Sequence, residues 1–323
     1  MSRDHGGNLD VAQARFGGKL EDWIDLSTGL NRRPYPLPEL PPRHWNALPS
    51  RSDIQSLHAA AQLAYATKAS VLAVAGAQAA IQLLPRLALP GRARILAPTY
   101  SEFAPVLAGA GWQVEDVSEL DALAGADLAV VVNPNNPDGR QHDPAKLLAL
   151  LPRVKRLVID ESFADAVPQI SLVAEAGTAG LLLLRSFGKF YGLAGLRLGF
   201  VLGNAEDIAA LDAMAGPWPI SGAAIGIGRK ALLDRDWVDT ARARLARDSL
   251  RLDGLAKIAG WKLLGGTPLF RLYDVGDAIA AQDQLAGARI WSRIFRDKPN
   301  WLRLGIPGDE TEWTRLTEAL SAR

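Results

Sequence analysis

The chain has 323 residues, 48% of them apolar, which is ample for a folded enzyme and more than one comfortable core holds. Its 36 Lys and Arg nearly cancel 35 Asp and Glu, so a formal charge of +1 leaves no electrostatic footprint for nucleic acid or an anionic membrane. It has no cysteine, hence no disulfide, thiolate nucleophile or cysteine metal site; no stretch reaches 18 apolar residues and the opening residues carry no apolar signal core, so a cytoplasmic location is expected.

In chain order, an N-terminal arm is expected over residues 1–42. It closes on a proline-rich piece, 33–42, that suits neither a helix nor a central strand and reads as an extended connection, either a plain linker or part of a site. A large domain is expected over 43–210. A short apolar strand at 71–75 leads into an Ala- and Leu-rich helix at 77–87, and a strand at 94–98 precedes a helix from Glu102. Strands at 113–117 and 127–132 come next, followed by a helix from Asp143 with Pro144 in its first position, then strands at 156–159, 181–184 and 198–202. Short apolar runs separated by helices predict an α/β fold, a largely parallel sheet with helices on both faces. From 211 the pattern changes to long helices, the longest at 237–258, where Arg242, Arg244, Arg247 and Arg251 predict a solvated face. Shorter segments at 261–264, 269–275, 289–294 and 301–306 and a closing helix from Glu310 predict a smaller α+β domain over 211–323.

Common catalytic and nucleotide motifs are missing. The chain has no Gly-x-Ser-x-Gly elbow and no Walker loop; Gly226-Ile-Gly228 follows Pro217-Trp-Pro219 rather than a strand, which is the wrong context for a dinucleotide fingerprint. His5, His44, His58 and His142 are scattered without metal-ligand spacing, and no metal is expected.

The sharpest chemistry lies in residues 185–199, where Lys189 follows an apolar strand and stands between Ser186 and Arg197. A lysine that condenses with an aldehyde must be neutral part of the time, which partial burial and a nearby cation favour. The Ser186 hydroxyl and the Arg197 guanidinium suit an anion such as the phosphate of pyridoxal 5'-phosphate (PLP). PLP also needs an acid at its ring nitrogen, a donor at its ring hydroxyl and a phosphate cradle. Asp160, at the end of the strand at 156–159, and Glu161 beside it both offer the acid, and strand alternation turns only one of them toward a ring. Asn136, in the paired Asn-Pro turn after 127–132, offers the donor. Gly76, Ala77 and Gln78, where strand becomes helix, offer backbone N–H groups to the phosphate, and Tyr100 a ring to stack on the pyridine.

These segments in this order, from His5-Gly-Gly-Asn8 through Asn133-Pro-Asn-Asn-Pro137, Asp160-Glu-Ser-Phe163 and the Lys189 segment to Trp301-Leu-Arg303, resemble the fold-type I PLP enzymes. The likeness is to the branch of histidinol-phosphate aminotransferases and threonine-phosphate decarboxylases of cobalamin biosynthesis. It implies that Lys189 bonds the cofactor aldehyde, Asp160 meets the pyridine nitrogen, Asn136 the ring hydroxyl and Tyr100 the ring face, with Gly76, Ala77, Gln78, Ser186 and Arg197 around the phosphate. It also implies a homodimer with the site between the two domains. Arg303 then matches an arginine that holds substrate anions; Arg293, with Arg296 as competitor, together with His5, Gly7 and Asn8 and with Asn136 nearby, would complete the substrate site. His5-Gly-Gly-Asn8, Lys189-Phe-Tyr191 and Pro217-Trp-Pro-Ile-Ser221 are closer to the decarboxylase subgroup, which acts on L-threonine O-3-phosphate. An aminotransferase acting on a phosphorylated amino acid is the alternative, and a non-catalytic binding protein of the same fold is another. Two departures stand out: Phe163 where many relatives carry a tyrosine, and Asn46-Ala-Leu-Pro-Ser50 where a tyrosine-bearing segment reaching the partner subunit is usual.

Overall fold

The computed structural model describes residues 5–321, so residues 1–4 of the expected arm and 322–323 of the expected small domain lie outside the described residues. Two compact units are present. The larger holds Tyr35–Asn136 and Gln141–Val238; the other holds the described residues up to Pro34, Pro137–Arg140, and the described residues from Asp239 onward.

A seven-stranded sheet organises the larger unit, in the order Ser70–Val74, Gly199–Gly203, Leu181–Ser186, Leu157–Asp160, Leu128–Val132, Arg92–Leu96, Gln113–Val117. Gly199–Gly203 runs antiparallel to both its neighbours, and the other pairings are parallel. The central strands are apolar without alternation because both of their faces are buried: Val130, Val131, Val158, Leu182 and Leu183 have no exposed surface. On one face Leu72, Val130, Leu182 and Val201 pack with Phe103, Ile81 and Leu211 into the main core.

Helix starts follow capping chemistry. Ser50 and Asp53 form a reciprocal capping box before Arg51–Ala64, Asn204 caps Ala205–Ala215, and Ser221 caps Gly222–Leu233. Asp143 caps Pro144–Leu148, with proline in the first position. The expected helix at 77–87 is α-helical only over Ala77–Leu83 and tightens into a 3-10 turn at Leu84–Leu87, where Pro85 has no N–H for an α-helical bond. Gly226 and Gly228 serve packing: a Cβ at Gly226 would lie 2.8 Å from Leu40, and one at Gly228 would lie 2.5 Å from Leu198.

The smaller unit carries a four-stranded antiparallel sheet ordered Arg293–Phe295, Lys298–Gly305, Phe270–Asp274, Lys262–Thr267. Leu302, Leu304, Tyr273 and Leu252 form its core with Trp313 of the helix Glu310–Ser321. The segment expected at 289–294 is broken at Ser292, whose carbonyl accepts Gln282 Nε2 at 2.8 Å. Ile290–Trp291 pairs in parallel with Ile24–Asp25, while Arg293–Phe295 joins the four-stranded sheet. The arm helix Leu9–Phe16 buries Ala12 beside Trp23 and Trp291, whose rings meet edge-on at 6.2 Å. The solvated face expected of the long helix, observed over Arg235–Ile258, needs one correction. Arg244 is buried, donating to Asn31 Oδ1 at 2.7 Å and lying 3.5 Å from Asp248, because a buried asparagine oxygen replaces water on its guanidinium.

Candidate active site

Topology gathers the candidate residues of the larger unit. Gly76, Tyr100, Asn136, Asp160 and Lys189 each follow the carboxyl end of a strand that points the same way. Arg197 precedes the antiparallel strand Gly199–Gly203 and so arrives at the same edge, where open α/β sheets bind ligands.

Gly76 caps the helix Ala77–Leu83 with φ 77°, a conformation that disfavours any side chain. The Arg197 guanidinium fills the space beside it: an added Cβ would lie 2.8 Å from Nη2. A Cβ on Gly199 would lie 2.5 Å from the Ala77 nitrogen, so the strand passes against the helix start only as glycine. Arg197 itself is left-handed, at φ 54° and ψ 55°, and donates to the Ala194 carbonyl at 3.2 Å. Gln78 bridges Tyr100, whose hydroxyl donates to Oε1 at 3.2 Å, and the buried Glu102. The Tyr100 ring meets Phe103 edge-on at 6.4 Å.

The three asparagines of the turn differ. Asn133 exchanges two hydrogen bonds with the backbone of His142, and Asn135 takes the Thr99 hydroxyl at 2.7 Å while donating to the Pro98 carbonyl at 2.9 Å. Both are buried and tie the loop down, and Asn136 is the half-buried one.

Asp160 and Glu161 point to opposite sides, as alternation requires. Burial pushes the Asp160 carboxyl up; the hydrogen bond from Ser162 N–H, at 2.9 Å, and the charge of Lys189 pull it back. Glu161 is fully buried against Arg185 at 3.0 Å and accepts the Ser171 hydroxyl and the Leu172 N–H. Arg185 also pairs with Asp165 at 3.0 Å and lies over the Tyr65 ring. This buried network escaped the sequence reading because Arg185 closes an apolar run; a cation inside such a run is the signal that it needs a buried carboxylate. Ser186 ends its strand, and half-buried Lys189 in the turn Phe187–Phe190 has its Nζ 5.2 Å from the Phe163 ring centre. Behind it Tyr191 is stacked between Phe187, at 4.2 Å, and Trp237, at 5.4 Å.

In the smaller unit, Arg293 and Arg303 stand directly opposite each other across antiparallel strands. Like charges in that register repel, so the pair is costly unless an anion meets it. Burial first, and then the charge of Arg293, lower the Arg303 guanidinium to about 10, while Asp25 pulls the other way. Arg303 is 7% exposed, donates to the Ser27 carbonyl at 2.8 Å and covers the Phe270 ring at 5.0 Å. Arg296 sits exposed in the hairpin beyond Phe295, away from that register. His5, Gly7 and Asn8 are exposed, and Gly7 N–H donates to Ser27 Oγ at 2.7 Å. The sequence reading missed Asp25 and Ser27. Their Asp-x-Ser spacing, which closes a two-residue turn, was the available signal.

Residues 44–320 match the family described as aminotransferase class I and II. The chain is 45% identical to a threonine-phosphate decarboxylase from a Sinorhizobium species and to another from Pseudomonas aeruginosa, in each case over 98% of this chain and 97% of the relative. It is 32% identical to a histidinol-phosphate aminotransferase from Cronobacter sakazakii over 72% of this chain and 69% of that one. Among solved structures, a histidinol-phosphate aminotransferase from Sinorhizobium meliloti in complex with pyridoxal-5'-phosphate has the same fold, with a TM-score of 0.86 at 20% identity, covering 99% of this chain and 97% of that one. The L-threonine-O-3-phosphate decarboxylase from Porphyromonas gingivalis matches with a TM-score of 0.73 at 19% identity, over 91% and 97% of the two chains. Sequence, sheet order and the gathering of residues at one sheet edge agree, and the chain belongs to the aminotransferase class I and II family.

Proposed function

We propose that the protein binds PLP and decarboxylates L-threonine O-3-phosphate to (R)-1-aminopropan-2-ol O-2-phosphate, a step of cobalamin biosynthesis. The observation that carries this reading is the 45% likeness to threonine-phosphate decarboxylases, which covers 98% of the chain. The described residues fit the cofactor. Gly76, lacking a Cβ, lets the Arg197 guanidinium close on the start of the helix, where it suits a phosphate, and a buried carboxylate at Asp160 suits a protonated ring nitrogen. Gly76, Ala77, Gln78, Ser186 and Arg197 hold the phosphate in this reading, Tyr100 and Asn136 hold the ring, and Lys189 bonds the aldehyde.

When bound, PLP supplies a sink for the electron pair left by the departing carboxylate. The protein's part is to orient and to move protons. Asp160 keeps a proton at the ring nitrogen, Arg303 and Arg293 grip the substrate anions, and His5, Gly7, Asn8 and Asn136 line the substrate. The groups that grip the substrate carboxylate would orient it and so choose between loss of CO₂ and loss of the Cα proton. Lys189 would supply the proton to the substrate Cα, and no amino acceptor would be needed. The protein is a homodimer in the cytoplasm in this reading. The exposed Leu37, Trp45, Leu48 and Trp218 of the larger unit supply apolar surface for a partner to cover.

The deciding experiment incubates the holoenzyme with threonine phosphate and no 2-oxo acid. Sustained CO₂ release is expected, and its disappearance in Lys189→Ala. Turnover only after addition of 2-oxoglutarate would establish an aminotransferase instead, and no turnover of either kind a non-catalytic binder.

A further inference from the structure

Ser27 is a junction inside the smaller unit. Its backbone N–H and its hydroxyl both donate to Asp25 Oδ1, at 2.9 and 2.5 Å, which fixes its orientation. The same hydroxyl oxygen accepts the Gly7 N–H of the arm at 2.7 Å, and its carbonyl accepts Arg303 Nη2 at 2.8 Å. Gly6 lies so close to that carbonyl that an added Cβ would collide with it, so the arm is seated on Ser27 by contact as well as by a hydrogen bond. Arg303, in turn, is the cross-strand partner of Arg293. One serine therefore touches both the arm and one member of the arginine pair, and it is held by a carboxylate whose charge also acts on Arg303.

We propose that Ser27, oriented by Asp25, is a positioning residue that couples the seating of arm residues 5–8 to anion binding at the Arg293 and Arg303 pair. The inference rests on the reading of those arginines as the grip for substrate anions. An anion that draws Arg303 toward Arg293 acts through its bond to the Ser27 carbonyl. The bond from Gly7 to the hydroxyl of that residue passes the change to the arm, so that the arm settles when the site is filled. Asp25 has two separate effects: its geometry holds Ser27, and its charge competes with an incoming anion.

The test uses the holoenzyme, whose cofactor phosphate cradle is occupied, with inorganic phosphate as the probe. Hydrogen exchange is followed in peptides covering residues 5–16, and phosphate affinity by calorimetry. In the wild type, phosphate is expected to slow exchange in the arm. In Ser27→Ala the arm should exchange faster and no longer respond to phosphate, while phosphate binds about three- to tenfold more weakly for the lost hydrogen bonds. Asp25→Asn keeps an oxygen for both Ser27 donors, so it should preserve the response while tightening phosphate. An arm in Ser27→Ala that responds to phosphate as the wild type does overturns the coupling. Wild-type phosphate affinity in Arg293→Ala overturns the anion grip and the coupling with it, whereas weakened binding there beside an unchanged Ser27→Ala removes the coupling alone.

Discussion

Two adjacent carboxylates, Asp160 and Glu161, have opposite fates because consecutive strand residues face opposite sides of a sheet. Asp160 lies under the charge of Lys189, while Glu161 is spent on Arg185. Their substitutions should therefore separate. Asp160→Asn keeps an acceptor for the Ser162 N–H and loses only the charge; melting close to wild type is expected, with turnover reduced about a hundredfold or more. Glu161→Gln removes one of the two carboxylates paired with Arg185, which keeps Asp165 and the Ser171 hydroxyl, and should cost about 1–3 kcal/mol of stability while holoenzyme turnover stays within a few-fold. Turnover and thermal melting of the same preparations check both, and the reverse pattern would exchange the two assignments. Alternation along a strand is legible in a sequence, so the competition between the two was visible there. The choice of Asp160 came from the family resemblance and not from the pattern, because Arg185 meets Glu161 through neighbouring strands whose register no sequence pattern states.

At the level of elements, most of the sheet was legible because fully buried parallel strands leave continuous apolar runs, and 113–117 was placed without error. The errors have local causes: Pro85 tightened one helix end and the buried Ser292 split one strand. The opposition of Arg293 and Arg303 was illegible, since it depends on the register of an antiparallel pair with a bulge after Ile294. The junction of the Ser70–Val74 strand with the helix Ala77–Leu83 was legible as a glycine turn, and the structure adds the reason for glycine. At φ 77°, with Arg197 at 2.8 Å, Gly76 has no tolerance for a methyl group. Gly76→Ala should displace Arg197 and strain the turn, weakening PLP binding roughly tenfold while the fold persists. Titration of the apoprotein with PLP, followed by cofactor absorbance, measures this; an unchanged affinity would remove Arg197 and Gly76 from the phosphate cradle.

For the whole molecule, a formal charge of +1 means that no large net repulsion drives acid unfolding near neutrality, so individual buried groups decide how stability varies with pH. His58 is such a group. It stands on the helix Arg51–Ala64, and its Nε2 accepts the Ala73 N–H at 3.1 Å on the side of the Ser70–Val74 strand away from Gly199–Gly203, so it covers the open edge of the sheet. Burial lowers its pKa from the ordinary 6.5, and Asp212 offsets this in part. A histidine lowered in the native state contributes stability that is complete above its unfolded value of 6.5 and lost as pH falls through the lowered native value. Asp160 and Glu161, raised by burial, run the other way: they favour the folded state at low pH, and that preference is lost as pH rises through their raised values. His58→Gln isolates the first effect, because the amide oxygen still accepts the Ala73 N–H but takes up no proton. Urea unfolding of wild type and variant at about pH 7.5 and about pH 5.5 should show the wild type losing more stability on acidification than the variant, the carboxylates being common to both. Equal losses would mean that His58 is protonated without releasing Ala73, and that the sheet edge is held by something other than a neutral imidazole.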